Sequence, residues 1–128
     1  MLTNDEIDKL VQEAMELPLG VIVTNVSFTL TPRIAAFMCG KNDVFVLGAW
    51  VFDEAKPTPV ENLRLRYGYI AAEILKRNYG IETARSGFLG MNTYLGDEAP
   101  ASWLRNHEKE EDLKEVVAAA KCFGEMGA

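Results

Sequence analysis

The chain has 128 residues, a formal charge of −6, a hydrophobic fraction of 48% and a charged fraction of 25%. That is enough for one ordinary globular domain without staples, and no run approaches the ~18 apolar residues a membrane span needs. The acidic balance excludes the overall basic footprint of a freely DNA-binding domain, although a local basic face remains open.

The N-terminus, MLTNDEIDKL, lacks the basic and apolar regions of a signal peptide, so a cytoplasmic protein is expected. Thr3 to Leu17 reads as a helix. Thr3 and Glu6 form a capping box, and Ile7, Leu10, Val11, Ala14 and Leu17 line one face. Pro18 and Gly20 interrupt it. Val21 to Leu30 is β-branched and alternates like a strand, yet no partner strand is in view. Residues 21–30 are therefore open between extended chain and helix.

Thr31 to Arg66 carries the densest set of signals. Thr31 suits an N-cap and Pro32 the first helical position, where a missing N–H costs nothing. Ile34, Ala35, Phe37 and Met38 form an apolar stripe, and Gly40 ends the helix. Asp43 starts a second short helix that places Leu47 and Trp50 on one face. Two short helices joined by a Gly-containing turn have the form of a helix-turn-helix. A turn-rich stretch, Asp53 to Pro59, leads into the longest helix, Val60 to Asn78. There Leu63, Tyr67, Ile70, Ile74 and Leu75 face a core, and Arg64, Glu73, Lys76 and Arg77 are solvent candidates.

Gly80 closes that helix, and Ile81 to Leu89 forms the next. Asn92 to Gly96 is a turn. Pro100 opens a helix of about two turns carrying Trp103 and Leu104. The polar run Asn106 to Asp112 links it to a last helix with Leu113, Val116, Val117, Ala120 and Phe123 at core spacing. The expected fold is mostly all-α. Residues 1–80 hold the first helix and the helix-turn-helix, residues 81–128 a C-terminal helical region, and the two form one compact unit. Cys39 and Cys122 sit among apolar residues as buried free thiols, and with one histidine they make no zinc pattern. No metal, cofactor or catalytic constellation is expected, because no nucleophile–base pair or phosphate-cradling glycine loop is present.

Two stretches carry a resemblance. TPRIAAFMCGKNDVFVLGAW, followed by Pro57, Pro59 and ENLRLR, resembles a Cro/repressor-type helix-turn-helix. RSGFLGMNTYLGDEAPASWLR, then EVVAAAKCF, resembles the toxin-binding region of Xre/MbcA/ParS-type antitoxins through Phe88, Leu89, Asn92, Leu95, Gly96, Pro100 and Leu104. Together they span roughly residues 31 to 123 in the family's order. Gly87 departs from the pattern, which calls for a large aromatic residue there. The resemblance implies a small cytoplasmic, mostly helical and often homodimeric protein. Such a protein represses its own operon and neutralises a cognate toxin that consumes NAD or transfers ADP-ribose.

The residues themselves temper a DNA-reading role. Base edges are read by Arg, Lys, Asn, Gln, Ser and Thr. The second helix instead offers Asp43, Val44, Phe45, Val46, Gly48 and Ala49. The DNA-facing candidates are Arg33, Lys41, Asn42, Val44, Phe45 and Lys56, with Asp43, Asp53 and Glu54 opposing them. The Val44–Phe45–Val46 patch has three open readings: protein contact, core, or DNA. The partner-binding candidates are Asn92, Leu95, Asp97, Trp103 and Arg105. Trp103 is an interface anchor or core, and Arg105 with His107 a cation site or plain surface. Asp97 and Glu98 suit a cap better than acid–base work. The acidic run Glu108 to Asp112 suits a helix start, or a phosphate mimic in a basic cleft. Arg64 and Arg66 are expected in intrahelical ion pairs or dimer contacts. The leading expectation is an antitoxin-like, non-enzymatic protein that binds a toxin or other host protein through its C-terminal helices. The alternatives are a stand-alone helix-turn-helix regulator and a phage or mobile-element protein that binds a host protein.

Overall fold

The computed structural model describes residues 1–124, and among them the fold is all-α. Helix α1 spans Asn4–Glu16. Its capping box forms as expected: Glu6 N–H donates to Thr3 Oγ1 at 3.2 Å and Thr3 N–H to Glu6 Oε1 at 2.9 Å. Ile7, Leu10 and Ala14 are its buried stripe.

Helix α2, Leu19–Leu30, replaces the stretch left open between strand and helix. Ile22, Val23, Val26 and Leu30 are buried at helical spacing, and burial outweighs the weak β preference of Val and Ile. Val21 and Phe28 are apolar but face outward, which is why the sequence alternates like a strand. The chain then bends by 117° into α3, Pro32–Met38. The bend is made at Thr31, whose φ of 86° is unusual for a β-branched residue. Thr31 still caps α3, accepting from Ile34 N–H at 3.4 Å.

Helix α4 is Phe45–Val51, one residue later than a cap at Asp43 implies, with Asp43 Oδ1 accepting from Phe45 N–H at 2.9 Å. Gly40 has φ 89° in the intervening turn, and Leu47 and Trp50 are buried. The local features of the two-helix motif are thus in place. Helix α4 packs chiefly on α2, with a smaller contact to α3.

Helix α5, Pro59–Tyr79, is the axis of the molecule. A second capping box, Thr58 with Glu61, starts it. It is buried almost all round, from Leu65 to Leu75, because α1, α2, α3, α6 to α9 all pack on it. Gly68 makes the closest approach: a Cβ there would lie 2.6 Å from Met38 Cε. Arg64 and Glu73 are buried, contrary to the expectation that they face solvent.

Helix α6 is Ile81–Leu89, a 3-10 turn covers Thr93–Leu95, and α7 is Pro100–Asn106. The expected last helix is broken into α8, Glu110–Leu113, and α9, Glu115–Lys121. The acidic run supplies the first turn of α8, where carboxylates favour the helix dipole. Phe123 and Tyr79 pack with ring centroids 5.4 Å apart, and a Cβ on Gly87 would lie 3.3 Å from the Phe123 ring. The space that an aromatic residue would need at position 87 is already filled by Phe123. One core cluster runs from Ile7 to Ala120, through both expected regions.

Candidate partner-binding surface

Four arginines decide how the surface is built. Each donates to the carbonyls at the end of a helix other than its own. Arg66 donates to Ala14 O and Leu17 O at 2.8 Å, closing α1. Arg85 donates to Phe28 O at 3.0 Å and Thr29 O at 2.9 Å, closing α2. Arg105 donates to Phe37 O at 2.9 Å and Lys41 O at 3.3 Å, closing α3. Arg64 reaches Cys39 O at 3.1 Å, Arg105 O at 3.1 Å and His107 O at 2.8 Å, tying the ends of α3 and α7 to α5. A helix leaves its last carbonyls unpaired and partly negative, so a guanidinium there satisfies both hydrogen bonding and charge. The intrahelical ion pairs expected for Arg64 and Arg66 are not what forms; Arg66 keeps only an intrahelical bond to Asn62 Oδ1, at 3.1 Å.

These contacts place the DNA-facing candidates. Arg33, Lys41, Asn42 and Val44 surround one shallow cleft of about 470 Å³. Its cationic and polar groups are largely spent: Lys41 Nζ is 2.8 Å from Glu61 Oε2, and Asn42 Oδ1 accepts from Arg105 at 2.9 Å. Burial alone would raise the Glu61 carboxyl, but hydrogen bonds from Lys41 and Thr58 hold it below its ordinary value. Arg33 and Lys56 are exposed and make no hydrogen bond or ion pair among the described residues, and Lys56 does not line the cleft. Phe45 lies on the other side of α4, facing α2, and is 82% exposed. The core reading of Phe45 therefore fails.

The partner-binding candidates separate into internal and external groups. Asn92 and Leu95 are buried, and Asn92 Oδ1 caps the 3-10 turn by accepting from Tyr94 N–H at 3.0 Å. Trp103 is half-buried. Its indole N–H donates to Asp112 O at 2.7 Å, and its ring stacks on His107 with centroids 3.9 Å apart. Arg105 lies over the Phe37 ring at 4.5 Å. Buried Asn92 and Leu95 offer no surface to a partner, while Trp103 and Arg105 are committed to holding α7 against α3 and α8. Asp97 alone is exposed, in a turn with φ 70°.

Of the residues beside them, sequence reasoning named Leu89 only as a resembling position and missed Met91. Leu89 is 60% and Met91 77% exposed, at the end of α6 and just beyond it. Leu89 borders an apolar groove of about 290 Å³ with Ile34, Phe37, Ala99 and Ala101, and Arg33 and Ser102 lie at the same groove. The signal was weak: Phe88-Leu89 is a pair of adjacent apolar residues about 100° apart on a helix, and such neighbours can both be buried, as Ile22 and Val23 are. Phe88 takes the core and is fully buried.

Among the described residues, no group of three His, Cys, Asp or Glu side chains is placed to hold a metal ion. No single helix among them is long and apolar enough to cross a membrane. The described residues form an all-helical fold wrapped on one buried helix, with Arg64, Arg66, Arg85 and Arg105 bonded to the ends of neighbouring helices and several large apolar side chains exposed. Neither protein-family models, nor characterised proteins, nor solved structures gave a match to the chain.

Proposed function

We propose that this protein acts by binding a partner protein, in the manner of the Xre/MbcA/ParS-type antitoxins whose motifs its sequence resembles. The partner seats on the groove between α3 and α7 and on the Leu89–Met91 shelf at its edge. One observation carries this reading: exposed Leu89 lines an apolar groove, with exposed Met91 two residues further along the chain, in the segment that the resemblance assigns to toxin binding. Buried aromatic and aliphatic anchors in such a pocket supply most of the energy of a protein interface.

The test is co-expression with the product of any small reading frame next to this gene. Relief of that product's toxicity by the wild-type chain, and its loss with Leu89→Glu or Met91→Glu, is the expected result. Relief unchanged by both substitutions places the partner elsewhere. An adjacent frame whose toxicity is not relieved, or no such frame, sinks the antitoxin reading.

The cleft that joins Arg33, Lys41, Asn42 and Val44 favours a second, weaker reading as an operator-binding regulator. With Lys41 and Asn42 engaged internally, few phosphates are reachable. A gel shift on the upstream region should show weak binding, with a salt slope near −2 for about two neutralised phosphates. A steep slope with sequence selectivity would restore the regulator reading to first place.

A further inference from the structure

We infer that the outer face of α2 and α4 is the contact by which two copies of this chain pair about a two-fold axis. Phe45 and Phe52 on or beside α4 are 82% and 77% exposed, and Phe28 on α2 is 70% exposed. Val21, Val44 and Val51 add partly exposed area on or beside the same two helices. None of these residues lines the Leu89 groove, so this face is separate from the proposed partner site.

The face carries both halves of a fit. Between α2 and α4 runs a groove of about 400 Å³, lined by Val23, Thr24, Val44, Gly48 and Val51 with Phe45 at its side. A Cβ placed on Gly48 meets nothing within 4 Å, so this wall of the groove is open. Phe45 is the knob and the groove is the hole. A surface holding both is self-complementary, which is the requirement of an isologous pair.

Area and charge point the same way. Phenylalanines that bury about 200 Å² each, taken at these exposures with the three valines, offer roughly 600 Å² per copy. Pairing would remove roughly 1,200 Å², the lower bound for a stable specific interface, and a patch of roughly 600 Å² lies at the upper end of what a typical monomer exposes. Each copy carries a formal charge of −6, so two copies repel least where they meet on uncharged surface. No charged residue lines the α2–α4 groove, and the exposed carboxylates Asp43, Asp53 and Glu54 lie just beyond the two ends of α4.

The test is sedimentation velocity on the full chain at ordinary ionic strength, up to about 200 μM, well above the micromolar Kd of an interface at the lower size bound. A concentration-dependent dimer is expected. Phe45→Asp should raise its Kd by at least about tenfold, as loss of a hot-spot aromatic does. Gly48→Met should weaken it as well by filling the groove, while leaving the melting temperature equal or higher because Met suits a helix better than Gly. That second variant separates lost pairing from lost folding. Three results overturn the inference: a wild-type monomer throughout the range; a dimer whose Kd neither variant changes; or a monomer that uses Phe45 to bind the co-expressed toxin instead. Leu89→Glu should leave the dimer intact, so failure here and failure of the partner site are read independently.

Discussion

Arg64 should be the most costly surface-to-core side chain to remove. Arg64→Ala deletes donors to three carbonyls: Cys39 at the end of α3, and Arg105 and His107 at the end of α7. Hydrogen bonds to charged groups are worth about 1.5–3 kcal/mol each, and an orphaned buried carbonyl costs a similar amount. Arg105 and His107 are only half-buried, so water can reach the α7 end in part, whereas Cys39 is fully buried. The loss expected is therefore about 3–5 kcal/mol, not the full sum, against a total stability of about 5–15 kcal/mol. For a chain of this size that is a fall in melting temperature of roughly 10–20 °C. Arg64→Lys should recover only a minor part, because one ammonium cannot span carbonyls on two helices. Circular dichroism melts of both variants, with exposed Arg33→Ala as control, provide the measurement. A fall below about 3 °C for Arg64→Ala would refute the claim that this guanidinium holds α3 and α7 to α5. Hydrogen exchange should show the α7 amides losing protection first, since their helix end loses both its partner and its anchor.

Glu61 has its carboxyl held below the ordinary 4.5, so its stabilising contribution is present above that pH and is lost as the pH falls through the folded value. Urea melts at neutral pH and near pH 4 should show Glu61→Gln less stable at neutrality and less acid-sensitive; an unchanged acid slope would disprove the role of the Lys41 pair. Cys39 is buried, and burial, then the nearby Glu61 carboxylate, pushes its thiol up to about 12, while Cys122 is half-buried. Since only thiolate reacts, one thiol per chain should be alkylated quickly by maleimide in the native state and two in denaturant; rapid loss of both would show that the α3–α5 contact opens readily. Gly68→Ala puts a Cβ 2.6 Å from Met38 Cε and 3.3 Å from Leu104 Cδ1. Overpacking of about 1–3 kcal/mol should outweigh the helix propensity gained, and a double-mutant cycle with Met38→Ala should recover much of the loss.

Features governed by local chemistry were legible in the sequence. The Thr3–Glu6 box, Pro32 after Thr31, Gly40, and the core spacing of Leu47 and Trp50 all act within a few residues, and each is found in place. The Thr58–Glu61 box was equally readable, since Thr precedes Glu by three before an apolar run. Helix α2 was not resolved because its outward residues Val21 and Phe28 are as apolar as its inward ones, so the helical period is masked. The resemblance points Asn92 and Leu95 toward a partner, but both are buried. Asn92 fills a local role that an Asx-type turn explains, accepting from the amide two residues on. Arg64 could not be read at all. Its acceptors are backbone carbonyls 25 to 43 residues away, and a carbonyl leaves no trace in the identity of its residue.

The arginines also bear on how much cationic charge the helix-turn-helix stretch leaves at its surface. A guanidinium within reach of a helix C-terminus is held by a fixed partial charge and by several acceptors at once, whereas a phosphate must be brought from solution. Arg105 is the clearest case: it bonds Phe37 O and Asn42 Oδ1 and covers the Phe37 ring, all inside the stretch expected to meet DNA. Releasing it for a phosphate would unpair the α3 carbonyls and bare that ring. The same contact fixes Phe37 beside Leu89 at the apolar groove. One side chain thus withdraws a cation from the DNA-facing side and, through the same bonds, shapes the wall of the proposed protein-binding groove. A substitution at Arg105 should disturb both faces together, which is why it belongs with the positioning residues and not with those that touch a partner.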